Sequence, residues 1–66
     1  MEFEELKEKF AGEVVDDEGY DEINETENVV IQDNGMSGKD TRLHYWTAQE
    51  VVGENEVVNE FDFYTE

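Results

Sequence analysis

Glu56-Val57-Val58-Asn59-Glu60-Phe61-Asp62-Phe63-Tyr64 decides how this chain folds. Val57, Phe61 and Phe63 fall on one side of an extended backbone and Glu60, Asp62 and Tyr64 on the other, the two-residue alternation of a half-buried β-strand. A face carrying two phenylalanines needs partner strands and a cover. Residues 28–32 contain Val29, Val30 and Ile31, a β-branched run, and residues 41–47 contain Leu43, Tyr45 and Trp46, so both read as strands. Between them lies Asp33-Asn34-Gly35-Met36-Ser37-Gly38-Lys39-Asp40, polar and glycine-bearing, which reads as the long loop of a hairpin. Counting back by twos, Ile31, Val29, Glu27, Glu25 and Ile23 share one face, so the first strand is expected to begin well before Asn28. The absence of proline leaves all three strands able to donate to a ladder.

The cover is expected at the N-terminus. Phe3, Leu6 and Phe10 stand three and four apart, which is one face of a helix over residues 2–10, and Gly12 is placed to end it. Glu4 with Lys7 and Glu5 with Lys9 have helical pair spacing, so both lysines are expected to be occupied within the helix. Thr47-Ala48-Gln49-Glu50 fits a capping box, with Gly53 closing a single helical turn after Val51 and Val52; a β-bend fits the same residues. The fold class expected is α+β, an N-terminal helix packed on a three-stranded antiparallel β-meander, with Phe3, Leu6 and Phe10 against Ile31, Leu43, Phe61 and Phe63. Residues 1–66 make a single small acidic domain. A chain this short has a thin core, but its four Phe, three Tyr and one Trp each bury roughly 150–250 Å², which favours a folded domain over an acidic tail.

Charge restricts function more than length does. Twenty Asp and Glu against four Lys and Arg give a formal charge of −16, which repels nucleic acids and anionic membranes and attracts basic surfaces. With no cysteine there is neither a disulfide framework nor a thiolate zinc site. Residues 1–5 show neither a basic leader nor an apolar run, and no stretch approaches a membrane span. The expected location is the cytoplasm, that of the host cell for a phage-encoded chain. The glycosylation pattern Asn24-Glu25-Thr26 has no secretory signal to give it meaning.

No catalytic constellation emerges, so the chain is expected not to be an enzyme and to carry no cofactor. Nucleophilic catalysis needs a nucleophile, a base and an orienting group. His44, the single histidine, reads as a partly buried structural imidazole, and Ser37 sits in a glycine-flanked loop too mobile to fix it against a base. A twelve-residue calcium loop begun at Asp16 puts Asp21 where glycine is required; begun at Asp33 it has Gly35 at the third position and His44 at the last, so no metal site is expected. The segment from Gly35 to Lys39 lacks the spacing of a phosphate-binding loop.

The carboxylates are not spread evenly. Residues 13–27 hold eight of the twenty acids and residues 50–66 hold six, and neither segment contains a base. Asp16-Asp17-Glu18-Gly19 reads as a turn, and Val14, Val15, Tyr20 and Ile23 pin the first segment to the domain. Two such segments side by side would make one strongly negative face, an imitation of a phosphate backbone. The candidate partner-binding residues are Glu13, Asp16, Asp17, Glu18, Asp21, Glu22, Glu25 and Glu27 from the first segment. Glu54, Glu56, Glu60 and Asp62 come from the second, with Tyr20 and Tyr64, or an exposed Trp46, as aromatic anchors amid the charge.

In size, acidity and lack of cysteine the chain is similar in kind to the small proteins with which phages and mobile elements block host defence and DNA-repair enzymes. These are the anti-CRISPR, anti-restriction and uracil-DNA glycosylase inhibitors, and the likeness is one of composition over the whole chain, with no motif behind it. The likeness assigns no family; the two base-free acidic segments lead to the expectation of an acidic DNA mimic serving host-defence evasion, an inhibitor that occupies the basic DNA- or RNA-binding site of an enzyme or defence complex, as a monomer or small homo-oligomer. The alternative is a non-catalytic acidic module of a phage or microbial protein, halophiles included, that makes a protein–protein interaction with a basic partner without excluding nucleic acid. Acidity as high-salt adaptation competes with both, although the preference for Glu over Asp and the free use of aromatics speak against it.

Overall fold

The computed structural model describes residues 2–66 and has the element order α1 (Phe3–Phe10), α2 (Asp17–Glu25), β1 (Val29–Met36), β2 (His44–Val52) and β3 (Glu56–Thr65). The strands form one antiparallel sheet in the order β1-β2-β3. It is the α+β meander with an N-terminal helix that the apolar spacing predicts, plus a second helix.

α1 forms because Phe3, Leu6 and Phe10 line one stripe, and all three are buried. It lies over β3, where the Phe3 and Phe61 rings meet at 5.2 Å. Its lysines do not pair within the helix as their spacing suggests. Lys7 Nζ donates to Asn59 Oδ1 at 3.0 Å and Lys9 Nζ to Glu22 Oε2 at 3.1 Å, tying α1 to β3 and to α2. Asn59 in turn donates to Glu4 at 2.6 Å. The ammonium groups serve tertiary contacts because the inner edges of the helix face other elements, whose acceptors compete with carboxylates one turn away.

α2 replaces the turn and early strand expected over residues 16–27. Asp16 is its N-cap, its Oδ1 accepting from the Gly19 N–H at 2.8 Å, and Asp17 and Glu18 place negative charge in the first turn, where the helix dipole favours it. Thr26 ends it, donating its hydroxyl to the Glu22 carbonyl at 2.8 Å. Tyr20 and Ile23 face inward: Ile23 is fully buried, and the Tyr20 ring packs edge-on to Trp46 at 5.4 Å. Gly19 is buried where α2 crosses the chain before it, and a β-carbon there would stand 2.6 Å from Val15 Cγ1 and 3.0 Å from Phe10 Cε1. No larger residue fits this approach without movement.

The hairpins also differ from their predicted bounds. β1 runs through Asp33 to Met36 by way of a bulge, where Asp33 Oδ1 accepts the Gly35 N–H at 2.8 Å, so the connecting loop shrinks to residues 37–43. That loop is held in place. Ser37 is buried, its N–H donates to the Leu43 carbonyl at 2.8 Å, and its hydroxyl oxygen accepts from the Lys39 and Asp40 N–H groups at 3.2 and 3.3 Å. Thr47-Ala48-Gln49-Glu50 is the middle of β2, with no helical turn. Ala48 is fully buried between Ile31 and Phe61, a place that takes a small side chain beneath the helices. Residues 53–55 form the tight turn into β3, and Gly53 (φ +58°) adopts the left-handed backbone that it requires.

Phe3, Leu6, Phe10, Val15, Ile23, Ala48, Phe61 and Phe63 make the core, with Tyr20, Val29, Ile31 and Trp46 against it. Leu43, expected inside, lies at the end of the loop, partly buried and outside this cluster. Val57 does not share the buried side with Phe61: Val58 is an extra residue between the pairs Glu50–Asn59 and Val51–Val57, and this bulge leaves Val57 and Val58 exposed. The link between the helices is structural too. Gly12 N–H donates to the Asp62 carbonyl at 2.7 Å, Val15 N–H to the Tyr64 carbonyl at 2.6 Å, and Tyr64 N–H to the Glu13 carbonyl at 2.9 Å, so residues 12–15 cover the outer edge of β3 at its C-terminal half.

Candidate nucleic-acid-mimic surface

The candidate residues divide between two sides of the sheet. Glu13 stands on the linker, Asp16 caps α2, and Asp17, Glu18, Asp21, Glu22 and Glu25 are spaced along the helix, with Glu27 in the turn that follows. All but Glu22 are exposed, and Glu22 is the one that Lys9 reaches. Among the described residues this is the single ion pair made by α2. Asp17, Asp21 and Glu25 repeat every four residues, and so form a stripe of like charge along one side of the helix.

Glu60 and Asp62 lie elsewhere. The helices occupy the face of Ala48, Phe61 and Phe63, and the alternation of β3 turns Glu60, Asp62 and Tyr64 to the opposite, open face. There Glu60 sits beside Gln49, whose Nε2 donates to it at 3.4 Å, and Asp62 beside Thr47. Tyr64 sits beside Tyr45, their rings stacked with centroids 5.4 Å apart and planes 22° apart. Asp62 accepts from the Tyr45 hydroxyl at 2.7 Å and from the Thr47 hydroxyl at 2.9 Å, and Thr47 accepts from Asn34 at 2.7 Å. The bond to Asp62 holds the Tyr45 phenol above its ordinary pKa, because losing the proton would set two negative charges together. Glu54 and Glu56 lie at the β2–β3 turn, away from both groups. The backbones of the two acidic segments thus pair where residues 12–15 run beside residues 62–64.

No protein-family model, curated protein or solved structure matches the chain. What the surface can do follows from its own residues.

Of the candidate aromatic anchors, Tyr20 and Trp46 are partly buried against Phe63 and complete the core, leaving Tyr64 as the candidate on the open face. Two contributors escape the sequence reading. Tyr45 completes the stack with Tyr64, and only strand register reveals that. Glu2, Glu4 and Glu50 meet Glu25 and Glu27 around an open groove at the N-terminal end of α1, a meeting of three separate segments.

Other charged groups are accounted for locally. His44, half-buried against Trp46 at 4.4 Å, pairs through Nε2 with Asp33. The Gly35 N–H first and His44 second hold the Asp33 carboxyl below its usual pKa. Arg42 grips Asp40 through Nε and Nη2, both at 3.0 Å, and lowers that carboxyl likewise. Among the described residues no group of three or more His, Asp or Glu is arranged to hold a metal ion, and no helix is long and apolar enough to cross a membrane.

Proposed function

We propose that this protein binds the basic nucleic-acid-binding surface of another protein, its carboxylates standing in for phosphates, and so keeps nucleic acid out. The observation that carries the reading is the stripe Asp17, Asp21 and Glu25 on a helix that has no basic residue of its own. At 1.5 Å of rise per residue its charges recur about every 6 Å, close to two phosphate steps of about 3.4 Å along one DNA strand. Groups at this spacing suit Lys and Arg side chains arrayed for a backbone, and the net charge of −16 speeds the encounter. Like charges four residues apart weaken a helix, so the stripe costs the fold stability, as a surface shaped for binding often does.

The test is competition. A panel of basic DNA-binding domains is mixed with a fluorescent duplex and titrated with this protein. Displacement of DNA from a member of the panel is expected, strong near about 50 mM salt and much reduced by about 200 mM, because charged contacts dominate. Reversal of Asp17, Asp21 and Glu25 to Lys abolishes it. Displacement indifferent to both salt and charge reversal would sink the proposal.

A second reading has one observation in its favour. The open sheet face is distant from the α2 stripe, so a partner bound there leaves the stripe unused, as in an interaction module that does not exclude nucleic acid. Recovery of a partner still holding its nucleic acid selects this reading.

A further inference from the structure

Both helices lie on one face of the sheet, and among the described residues nothing of this chain covers the other. That uncovered face has a built centre. The Asp62 carboxylate is fixed by hydroxyl donors from Tyr45 and Thr47, on strands that cannot easily move, and beside it the Tyr45 and Tyr64 rings stack into a small aromatic platform. Val14, bridged to Tyr64 and 51% exposed, borders the platform, and Glu60 adds a second carboxylate one pleat along the strand. None of these side chains is basic.

We infer that this face is a docking surface for an arginine-bearing segment of a basic protein, the guanidinium lying on the Tyr45–Tyr64 platform and turned toward Asp62 and Glu60. The inference rests on the reading of the partner as basic and deepens it by naming the side chain recognised. Charge complementarity selects a cation: Glu60 and Asp62 stand on this face, Arg42 at its margin beside Val14 is already gripped by Asp40, and the chain carries a charge of −16. The rings then choose between cations. A guanidinium is planar, weakly hydrated, stacks on aromatic faces and forks onto carboxylates, whereas an ammonium is a compact, strongly hydrated point charge. Each Asp62 oxygen accepts one hydroxyl, and a carboxylate has about four lone-pair sites, so acceptors remain for the fork. A second copy of this chain is a poor occupant, since apposed faces would set Glu60 and Asp62 against their counterparts.

The experiment titrates the intact chain with hexa-arginine and with hexa-lysine at equal low salt, read by calorimetry and by backbone amide shifts. Hexa-arginine is expected to bind about five- to tenfold tighter, with the largest shifts at Tyr45, Asp62 and Tyr64. Tyr64→Leu and Asp62→Asn each bring the two affinities to within about twofold, while Tyr64→Phe keeps the preference. Asp62→Asn nearly preserves shape, so it decides the matter even if Tyr64→Leu fails to fold. Equal binding of the two peptides, unchanged by Asp62→Asn and weakened for both by reversing Asp17, Asp21 and Glu25, overturns the docking surface and leaves the acidic-stripe proposal standing. No binding of either peptide at low salt overturns both, and a sedimenting dimer that shields Tyr64 gives this face to a second copy.

Discussion

At Gly19 the usual rule for helices is reversed. Replacing a helical glycine by alanine ordinarily gains about 1 kcal/mol from propensity. Here the new methyl would stand 2.6 Å from a buried valine, whose branched side chain has little freedom to withdraw, and 3.0 Å from the Phe10 ring. Overpacking of this kind costs about 1–3 kcal/mol, so Gly19→Ala is expected to lower stability by about 1 kcal/mol net. Urea unfolding followed by circular dichroism measures it, and a midpoint at or above that of the parent would show that Val15 yields freely. The same glycine helps explain why the sequence reads as a turn at this point: Asp16-Asp17-Glu18-Gly19 has turn composition, and only the packing of α2 on Val15 and Phe10 explains a glycine in a first helical turn.

At the scale of elements, α1 and β3 are legible because each carries its own periodic stripe: Phe3, Leu6 and Phe10 in one, Phe61 and Phe63 in the other. α2 is not, since Tyr20 and Ile23 alone give periodicity too little to measure, and Ile23 also continues a two-residue pattern through Val29 and Ile31. Its readable marks were the Asp16 cap and the acid of the first turn, hidden inside a run in which eight of fifteen residues are acidic. The middle of β2 is ambiguous for another reason: its capping-box pattern is local and fits a helical turn or a β-bend, while the need for a small residue at Ala48 comes from helices brought over the sheet by distant contacts. The candidate site was legible as an amount of charge and not as an arrangement: alternation sets Glu60 and Asp62 opposite Phe61 and Phe63, but nothing periodic shows that residues 17–25 form a helix on the phenylalanine side. Within α2, Asp21 has like charges one turn to either side, Asp17 and Glu25. Asp21→Lys turns two repulsive pairs into attractive ones and is expected to stabilise the fold by about 0.5–1 kcal/mol. A lower thermal midpoint for this variant would mean that Asp21 makes a contact that the charge pattern conceals.

Over the whole molecule, acids lie on the helix layer, at the hairpin turn and on the open face, so the native state holds sixteen net negative charges at close quarters. Self-repulsion of this size opposes compaction more than it opposes the expanded chain. Salt shortens its reach, from a screening length of about 30 Å at 0.01 M to about 3 Å at 1 M. The thermal midpoint of the free protein is therefore expected to rise with sodium chloride over that range. A gain of about 1 kcal/mol moves the midpoint of so small a domain by roughly 4–8 °C. Binding to a basic partner must move the other way, because the charges that repel one another within the fold are those that attract the partner. Differential scanning calorimetry and a binding titration across one salt series test both slopes together. A midpoint that falls as salt rises would mean that ion pairs such as Lys9–Glu22 outweigh the repulsion around them, and α2 would then be a helix held by its charges instead of one that bears them for a partner.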